Sequence, residues 1–359
     1  MQSRLKERIP KSKREACLNV LTDPMKVSSK LKSLAKRSRT LIITYKLYNN
    51  YRIARDFKSG KIESTHGSTN ATKTVSESLN YISIQFADYL KYSGLSYDEI
   101  RNKRIIELGF GDNFGVALRF LAAGAAKVTC IDRFYSVRDP KKEISIYEEL
   151  RKQLSSEERA RFDGVIDLYP ELNINRERLA SFNGLSLEEF AQNAPHEREQ
   201  VDMIISRAVL EEIYEPLPVF IASDNLLKDG GFVLHKIDLS DYGVFSENGM
   251  HPLTFLTIAE PVYRLMAKDS AIPNRKLINY YRELMKSFGY QSTLFVASII
   301  GVGHLSPYRQ HITLNTDYDE GALQLVQSIR RKLKSPFRHL PDEDLIVDGI
   351  FLVGRKPKS

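Results

Sequence analysis

The sequence predicts an α/β chain, a mostly parallel sheet with helices on both faces. Three observations carry that expectation. From about residue 100, short apolar runs alternate with stretches of helical periodicity. A glycine-rich turn, "ELGFGDNFG", lies between the first of these runs and the helix that follows it. The second run ends on an acid, Asp132.

The runs that read as strands are Arg104–Leu108, Lys127–Ile131, Leu179–Phe182, Asp202–Ile205 and Gly231–Ile237, followed by Ser292–Ala297 and Ile346–Gly354. For the third strand, "FDGVIDL" competes with "RLASFN". The helix after the first strand is expected from about Phe114 to Ala123, where the glycine of "AAGAAK" stops it. "NLLKDGGF" carries the helix-stop and turn residues that precede a strand. Two segments fall outside this rhythm and read as helical insertions, at about 133–162 and 305–340. No internal repeat or low-complexity tract is present.

Among the 359 residues, 42% are hydrophobic, enough to fill a sizeable core. No apolar run reaches the length of a membrane span, and the opening "MQSRLKERIPKSKREACLNV" lacks the apolar region of a secretory signal. Cys17 and Cys130 are too few and too scattered for a disulfide framework or a zinc site. A cytoplasmic protein is expected. Its charge is unevenly spread: residues 1–62 carry 17 Lys and Arg against 4 Asp and Glu, a net of +13, so the remaining residues sum to −5 within a total of +8. The division expected is a basic, helical N-terminal extension over 1–62 and a single domain over 63–359. Leu31, Leu34, Leu41, Tyr45 and Tyr48 recur at three-to-four spacing, the pattern of a basic amphipathic helix. Packing of that stripe on the main domain is the favoured reading. Contact with an anionic membrane surface and contact with nucleic acid are the other two.

Gly109, Gly111 and Gly115 follow a GxGxxxG pattern at the strand-to-helix turn. Glycine there permits positive φ and close approach of a ligand to the backbone, and the helix N-terminus offers free N–H groups. The dinucleotide fingerprint is GxGxxG, and Phe114 stands where its third glycine belongs. Glu107 ends the first strand, two residues before Gly109. A carboxylate at that point suits a ligand bearing a cation and sits badly beside a pyrophosphate. Asp132, 23 residues past Gly109, stands where an acid accepts hydrogen bonds from ribose hydroxyls. The ligand implied has a ribose and a positive charge and needs no phosphate grip.

On these residues the chain resembles the class I, Rossmann-like, S-adenosylmethionine (SAM) methyltransferases of the small-molecule type. "ELGFGDN" matches their acid-x-Gly-x-Gly motif, with Asn113 where many members have a third glycine. "VDMIISRAVLEEIYEPLPVFIASDNLLKDGGFVLHKIDL" is similar to their fourth strand, its helix and their fifth strand, and "DEDLIVDGIFLVGRKP" to their closing antiparallel strand. The resemblance spans roughly residues 80–355. It implies a seven-stranded, mostly parallel sheet with an antiparallel last strand, and transfer of the SAM methyl group to an oxygen, nitrogen or carbon atom. The acceptor implied is a small molecule or a glycan- or lipid-linked group. Carried over by position, Glu107 faces the methionine amino group and Gly109 and Gly111 run along the methionine–ribose portion. Asp132 holds the ribose with Arg133 beside it, and Asn183 borders the adenine.

Ligands of an open parallel sheet bind beyond the carboxyl ends of its strands. Those ends supply Ser206 and Arg207, then His235, Asp238 and Asp241. Ser206 is assigned to the cofactor, and Arg207, Asp238 and Arg275 to the substrate. Three residues are base candidates for removing an acceptor proton: His235, His251 and Glu212, the last standing where the resembling helix carries histidine. His235, Asp238, Asp241 and His251 match no firm metal motif, so no metal is assigned. His66 and Thr69 are candidate lid or substrate contacts. "SRAV" replaces the NPPY or DPPY motif of base-amino methyltransferases, and Cys130 sits within a strand rather than in a Pro-Cys nucleophile, which argues against nucleic-acid bases. An NAD(P)-dependent oxidoreductase and a SAM-binding protein without catalysis are the alternatives. Oligomeric state is not legible.

Overall fold

The computed structural model describes residues 38–61, 63–64 and 70–358. Leu31, Leu34, Cys17, His66 and Thr69 lie outside the described residues. Helix α1 (Arg39–Lys58) leads to α2 (Val75–Ser93). The chain then alternates β1 (Arg104–Leu108), α3 (Gly115–Ala122) and β2 (Lys127–Asp132), followed by α4 (Pro140–Lys152) and α5 (Ser156–Asp163). Strand β3 (Leu179–Asn183), α6 (Leu187–Asn193), β4 (Val201–Arg207), α7 (Leu217–Leu226) and β5 (Leu227–Asp238) complete the parallel half. After α8 (Glu260–Ala267) and α9 (Ile278–Ser287) come β6 (Gln291–Ile299), β7 (Gly303–Arg309), α10 (Glu320–Ile329), α11 (Asp342–Ile346) and β8 (Val347–Arg355).

One sheet holds all eight strands in the order β7-β6-β8-β5-β4-β1-β2-β3. Strands β1 to β5 pair in parallel. Strand β8 is antiparallel, as the resemblance implied, and it lies between β5 and β6. The competition for the third strand resolves to "RLASFN", because Leu179–Asn183 aligns with Val128–Asp132. Ile166–Asp167 forms only a two-residue ladder with Asn173–Ile174. The sheet has one strand more than the seven expected. Residues 303–309, which overlap the start of the helical insertion expected at about 305–340, turn back on β6 as β7. This edge strand is largely exposed and contains Pro307, which an edge tolerates because one side of its backbone needs no partner.

Strand alternation divides the core into two layers. Ile106, Leu108, Ile204, Val233 and Ile237 pack with α6, α7 and α9 on one face. Ile105, Cys130, Met203, Ile205 and Leu234 pack with α2, α3, α4 and α5 on the other. Helix α3 is apolar except for Arg119 because it is enclosed, with Ala117, Leu118, Phe120 and Leu121 fully buried and Arg119 reaching Glu158 at 3.1 Å.

The N-terminal stripe is corrected by the structure. Ile42 is buried, and Ile43 and Leu47 pack against the core, whereas Leu41, Tyr45 and Tyr48 face solvent. The reason is that α1 carries apolar residues on both faces, and three-to-four spacing alone does not say which one is covered. Among the described residues no helix is long and apolar enough to cross a membrane.

Candidate active site

The strand order reverses between β1 and β4, and the chain leaves each of these neighbours through a crossover on the opposite face, which opens a crevice beyond their carboxyl ends. Gly109 and Gly111 adopt positive φ of 68° and 64° directly after β1. After β4, Ala208 takes φ 56°, an uncommon conformation for an L-residue, and brings Val209 over Gly109. A Cβ on Gly109 would lie 2.3 Å from Val209 Cγ2. Glycine is required there on both counts.

This contact leaves a cavity on each side, and Gly109 and Glu212 line both. The first, about 360 Å³, is walled by Leu108, Asp132, Arg133, Leu185, Leu187 and Tyr214, and closed by Phe57 and residues 268–271. The second, about 160 Å³, is lined by Glu107, Gly111, Asp112, Tyr81, Gln85, Asn70 and Arg207.

Helix α3 is held at its start by three side chains. Asn113 Oδ1 accepts from the Gly115 N–H at 2.7 Å. The Phe114 N–H donates to Tyr147 Oη at 2.8 Å, and that hydroxyl donates to Glu143 at 2.8 Å. Asp112 accepts from the Asn70 backbone N–H and its Nδ2, both at 2.9 Å, which seats the loop before α2 on the glycine turn. Asn70 Oδ1 remains buried and without a hydrogen-bond partner.

Glu107 is the electrostatic centre of the second cavity. It is 8% exposed, and among the described residues its only hydrogen-bond donor is the Cys130 thiol at 3.8 Å. Burial pushes its carboxyl up to about 8. Among the described residues no cation is in ion-pair contact with this carboxyl, and Arg138, which acts on it from a distance, is itself paired with Glu143; such a group at a cavity wall fits a ligand that brings its own cation. Asp132 ends β2 and accepts from the Phe134 N–H at 2.9 Å. Burial raises its pKa, opposed by hydrogen bonds from the Phe134 and Gly111 backbone. Arg133 stacks on Phe57, its guanidinium carbon 4.8 Å from the ring centre, and lies 3.7 Å from Asp269. The residues present therefore fit a ribose and an ammonium held on either side of Gly109.

Glu212 lies where the cavities meet, and no side-chain hydrogen bond is formed by it among the described residues. Burial, reinforced by Glu211 and Asp132, raises its pKa well above the ordinary range. Arg207 forms the wall opposite, anchored to Asp88 at 3.0 Å. Asp88 also accepts from the Tyr308 hydroxyl of β7 at 2.9 Å, so the extra strand helps to hold Arg207 in place.

The other candidates are not brought to this crevice. His235 and Ser206 alternate onto the opposite face of the sheet from Glu107, with Ser206 Oγ and His235 Nδ1 2.8 Å apart. His235 is fully buried edge-on to Phe220, and burial pushes it down to about 3. His251 Nδ1 accepts from the Leu253 N–H at 3.0 Å and Nε2 donates to the Leu325 carbonyl at 2.9 Å. Both ring nitrogens are committed to loop structure. Arg275 is 5% exposed, donates to the Phe255 and Ile258 carbonyls, pairs with Glu260 and stacks on Tyr263. Asp238 accepts from the Ser240 N–H, and Asp241 from the N–H groups of Gly243, Phe245 and Ser246. Those two acids organise turns, and no cluster of metal-ligating side chains forms among the described residues. Asn183 is exposed opposite Asp132, and the cavity wall is made instead by Leu185 and Leu187 two and four residues on.

Sequence reasoning missed Phe57 and Tyr81, which carry no motif, Asp112, which stands inside the glycine turn without a role assigned to it, and Glu211. Glu211 is 1% exposed and accepts from the Asp238 N–H at 3.0 Å and the Tyr242 hydroxyl at 2.7 Å, tying the loop after β4 to the loop after β5.

Two predictions follow from this geometry. Gly109→Ala should lower stability by about 1–3 kcal/mol, since positive φ and the Val209 clash act together; a melting temperature equal to wild type would contradict the packing. Glu107 is raised above its unfolded value, so its contribution to stability is complete below about pH 4.5 and is lost as pH rises through about 8. Glu107→Gln should therefore melt above wild type at pH 8, with the difference closing towards pH 5. A difference that does not change with pH would show that the carboxyl is not buried uncharged.

No protein-family model matches the sequence, and no curated protein matches it. Solved structures similar to the chain include phosphoethanolamine N-methyltransferase 2 of Haemonchus contortus with S-adenosyl-L-methionine, at 14% identity and TM-score 0.39, covering 76% of this chain and 52% of that one. A SAM-dependent methyltransferase of Mesorhizobium loti shows 13% identity and TM-score 0.33, covering 72% and 93%. The YcgJ protein of Bacillus subtilis shows 12% identity and TM-score 0.37, covering 76% and 98%. The chain spans about half the length of the Haemonchus enzyme and 49% of a CurJ carbon methyltransferase that it also resembles. These matches, at low identity, are likenesses of fold alone.

Proposed function

We propose that the protein is a SAM-dependent methyltransferase whose transfer point lies at Gly109 and Glu212. The observation that supports this reading is the pair of cavities meeting there, with a ribose-type acid, Asp132, in one and the unpaired buried Glu107 in the other. The larger cavity suits a nucleoside, with Leu185 and Leu187 as apolar walls and Asp132 as acceptor for ribose hydroxyls. Glu107 neutralises the ammonium of a methionine group in the smaller cavity. SAM supplies an electrophilic sulfonium methyl, so the protein's task is alignment, exclusion of water and proton removal where the acceptor needs it.

The acceptor approaches in this reading from the side of Asn70, Tyr81, Gln85 and Arg207. Little space is open there, which favours a small polar group at the end of a larger molecule, as in a small-molecule, glycan-linked or lipid-linked acceptor. Asn70 Oδ1 offers it an unpaired carbonyl oxygen. Glu212 is the proton acceptor in this reading once the cationic ligand beside it draws it into its ionised form, since it has no hydrogen-bonded side-chain partner among the described residues to displace. A hydride-transfer reading is disfavoured by Glu107, which would face a pyrophosphate as a like charge once ionised.

Calorimetric titration with SAM, S-adenosylhomocysteine and NADH tests the reading. Both sulfur ligands should bind and NADH should not. Asp132→Ala should weaken SAM by roughly 1.5–3 kcal/mol, about ten- to a hundredfold. Binding of NADH alone would overturn the reading.

A further inference from the structure

Helix α1 has two unlike faces. The inward one carries Ile42, Ile43, Leu47 and the buried Asn50, and it is fastened at two points to the α8 region. Arg39 donates to the Thr257 carbonyl at 3.2 Å, before α8, and the Asp269 N–H donates to Asn50 Oδ1 at 2.8 Å, just after it. The two contacts follow the same order along both segments, so the two helices run side by side in one direction.

The outward face of α1 is apolar and basic together. Leu41, Tyr45, Tyr48 and Tyr51 are 52%, 56%, 42% and 66% exposed. Positions 41, 45, 48, 52 and 55 fall on one stripe of a 3.6-residue helix, so Arg52 and Arg55 continue the line of Leu41, Tyr45 and Tyr48. No acid occupies those five positions, although Asp56 beside them pairs with Arg55 at 3.0 Å. Helix α8 adds Leu265, 65% exposed, and Val262, with Arg264 and Lys268 between and after them. Large apolar side chains gathered at one surface mark an interaction site more often than single ones do.

We propose that the exposed faces of α1 and α8 dock on an anionic lipid surface. Tyrosine suits the boundary between acyl chains and headgroups, because its ring is apolar and its hydroxyl remains hydrated. The arginines and lysines on the same faces match the charge of acidic headgroups. The chain before α1 adds to that match: residues 1–38 hold 11 Lys and Arg against 3 Asp and Glu. A second copy of this face is the poorer occupant, since the stripe would meet its own positive charge. Docking would bring the larger cavity close to the surface, because Phe57 of α1 and residues 268–271 form part of its wall.

The test is co-sedimentation of the full chain with phosphatidylcholine vesicles, with and without about one-third phosphatidylserine. Two variants are compared with wild type, Tyr45→Ser/Tyr48→Ser and Arg52→Glu/Arg55→Glu. Their side chains are on the outward face, so melting temperatures should match wild type and serve as the folding control. Wild type should bind the acidic vesicles, and each variant should bind roughly tenfold or more weakly. Failure of wild type to bind, or equal binding by wild type and the tyrosine variant, would overturn the proposal. So would a dimer in sedimentation velocity that the tyrosine variant abolishes without any vesicle binding, since the face would then be a self-interface. Binding of wild type to RNA but not to acidic vesicles would also overturn it.

Discussion

The packing of Val209 onto Gly109 organises the crevice. It joins the turn after β1 to the turn after β4 at the one place where the strand order reverses. Any side chain at Gly109 would separate those turns, and an extended backbone at Ala208 would carry Val209 away. With both in place, one open crevice becomes two cavities sharing a narrow junction. Glu212 follows Val209 by three residues and is delivered to that junction by the same turn.

Charge placement around the junction is lopsided. Glu107, Asp132, Glu211 and Glu212 gather within one end of the sheet, and burial raises the pKa of each. Arg207, the cation lining the smaller cavity, is already engaged by Asp88. Buried carboxyl groups left without cations cost stability. Such an arrangement makes physical sense where a ligand restores the balance, and a sulfonium ion with an amino group carries positive charge at two centres. In the proposed reading, protein stability and ligand affinity are linked through the same side chains.

Much of this was legible in the sequence where local chemistry determines the outcome. Glu107, Gly109, Gly111 and Asp132 are separated by fixed numbers of residues along a strand and a turn, so their spacing translates directly into position. Side-chain direction in a strand covered on both faces is harder to read. β5 runs "FVLHKI" without polar alternation, so nothing local says that His235 turns towards Phe220 and away from the crevice. His251 and Arg275 were hidden for another reason: their partners, Leu325 and Glu260, are set by tertiary packing. Phe57 reaches the cavity from a helix that belongs to no motif. Strand β7 has the polar, proline-containing composition of a loop and becomes a strand only because β6 offers it an edge.

The central claim is that Glu107, uncharged before binding, ionises against the ligand's ammonium group. Calorimetry of SAM binding at about pH 7, repeated in buffers of different ionisation enthalpy, counts the protons exchanged. The account predicts net release approaching one proton per SAM bound, and loss of that release in Glu107→Gln. Binding of SAM with no proton release, or with uptake, would contradict it.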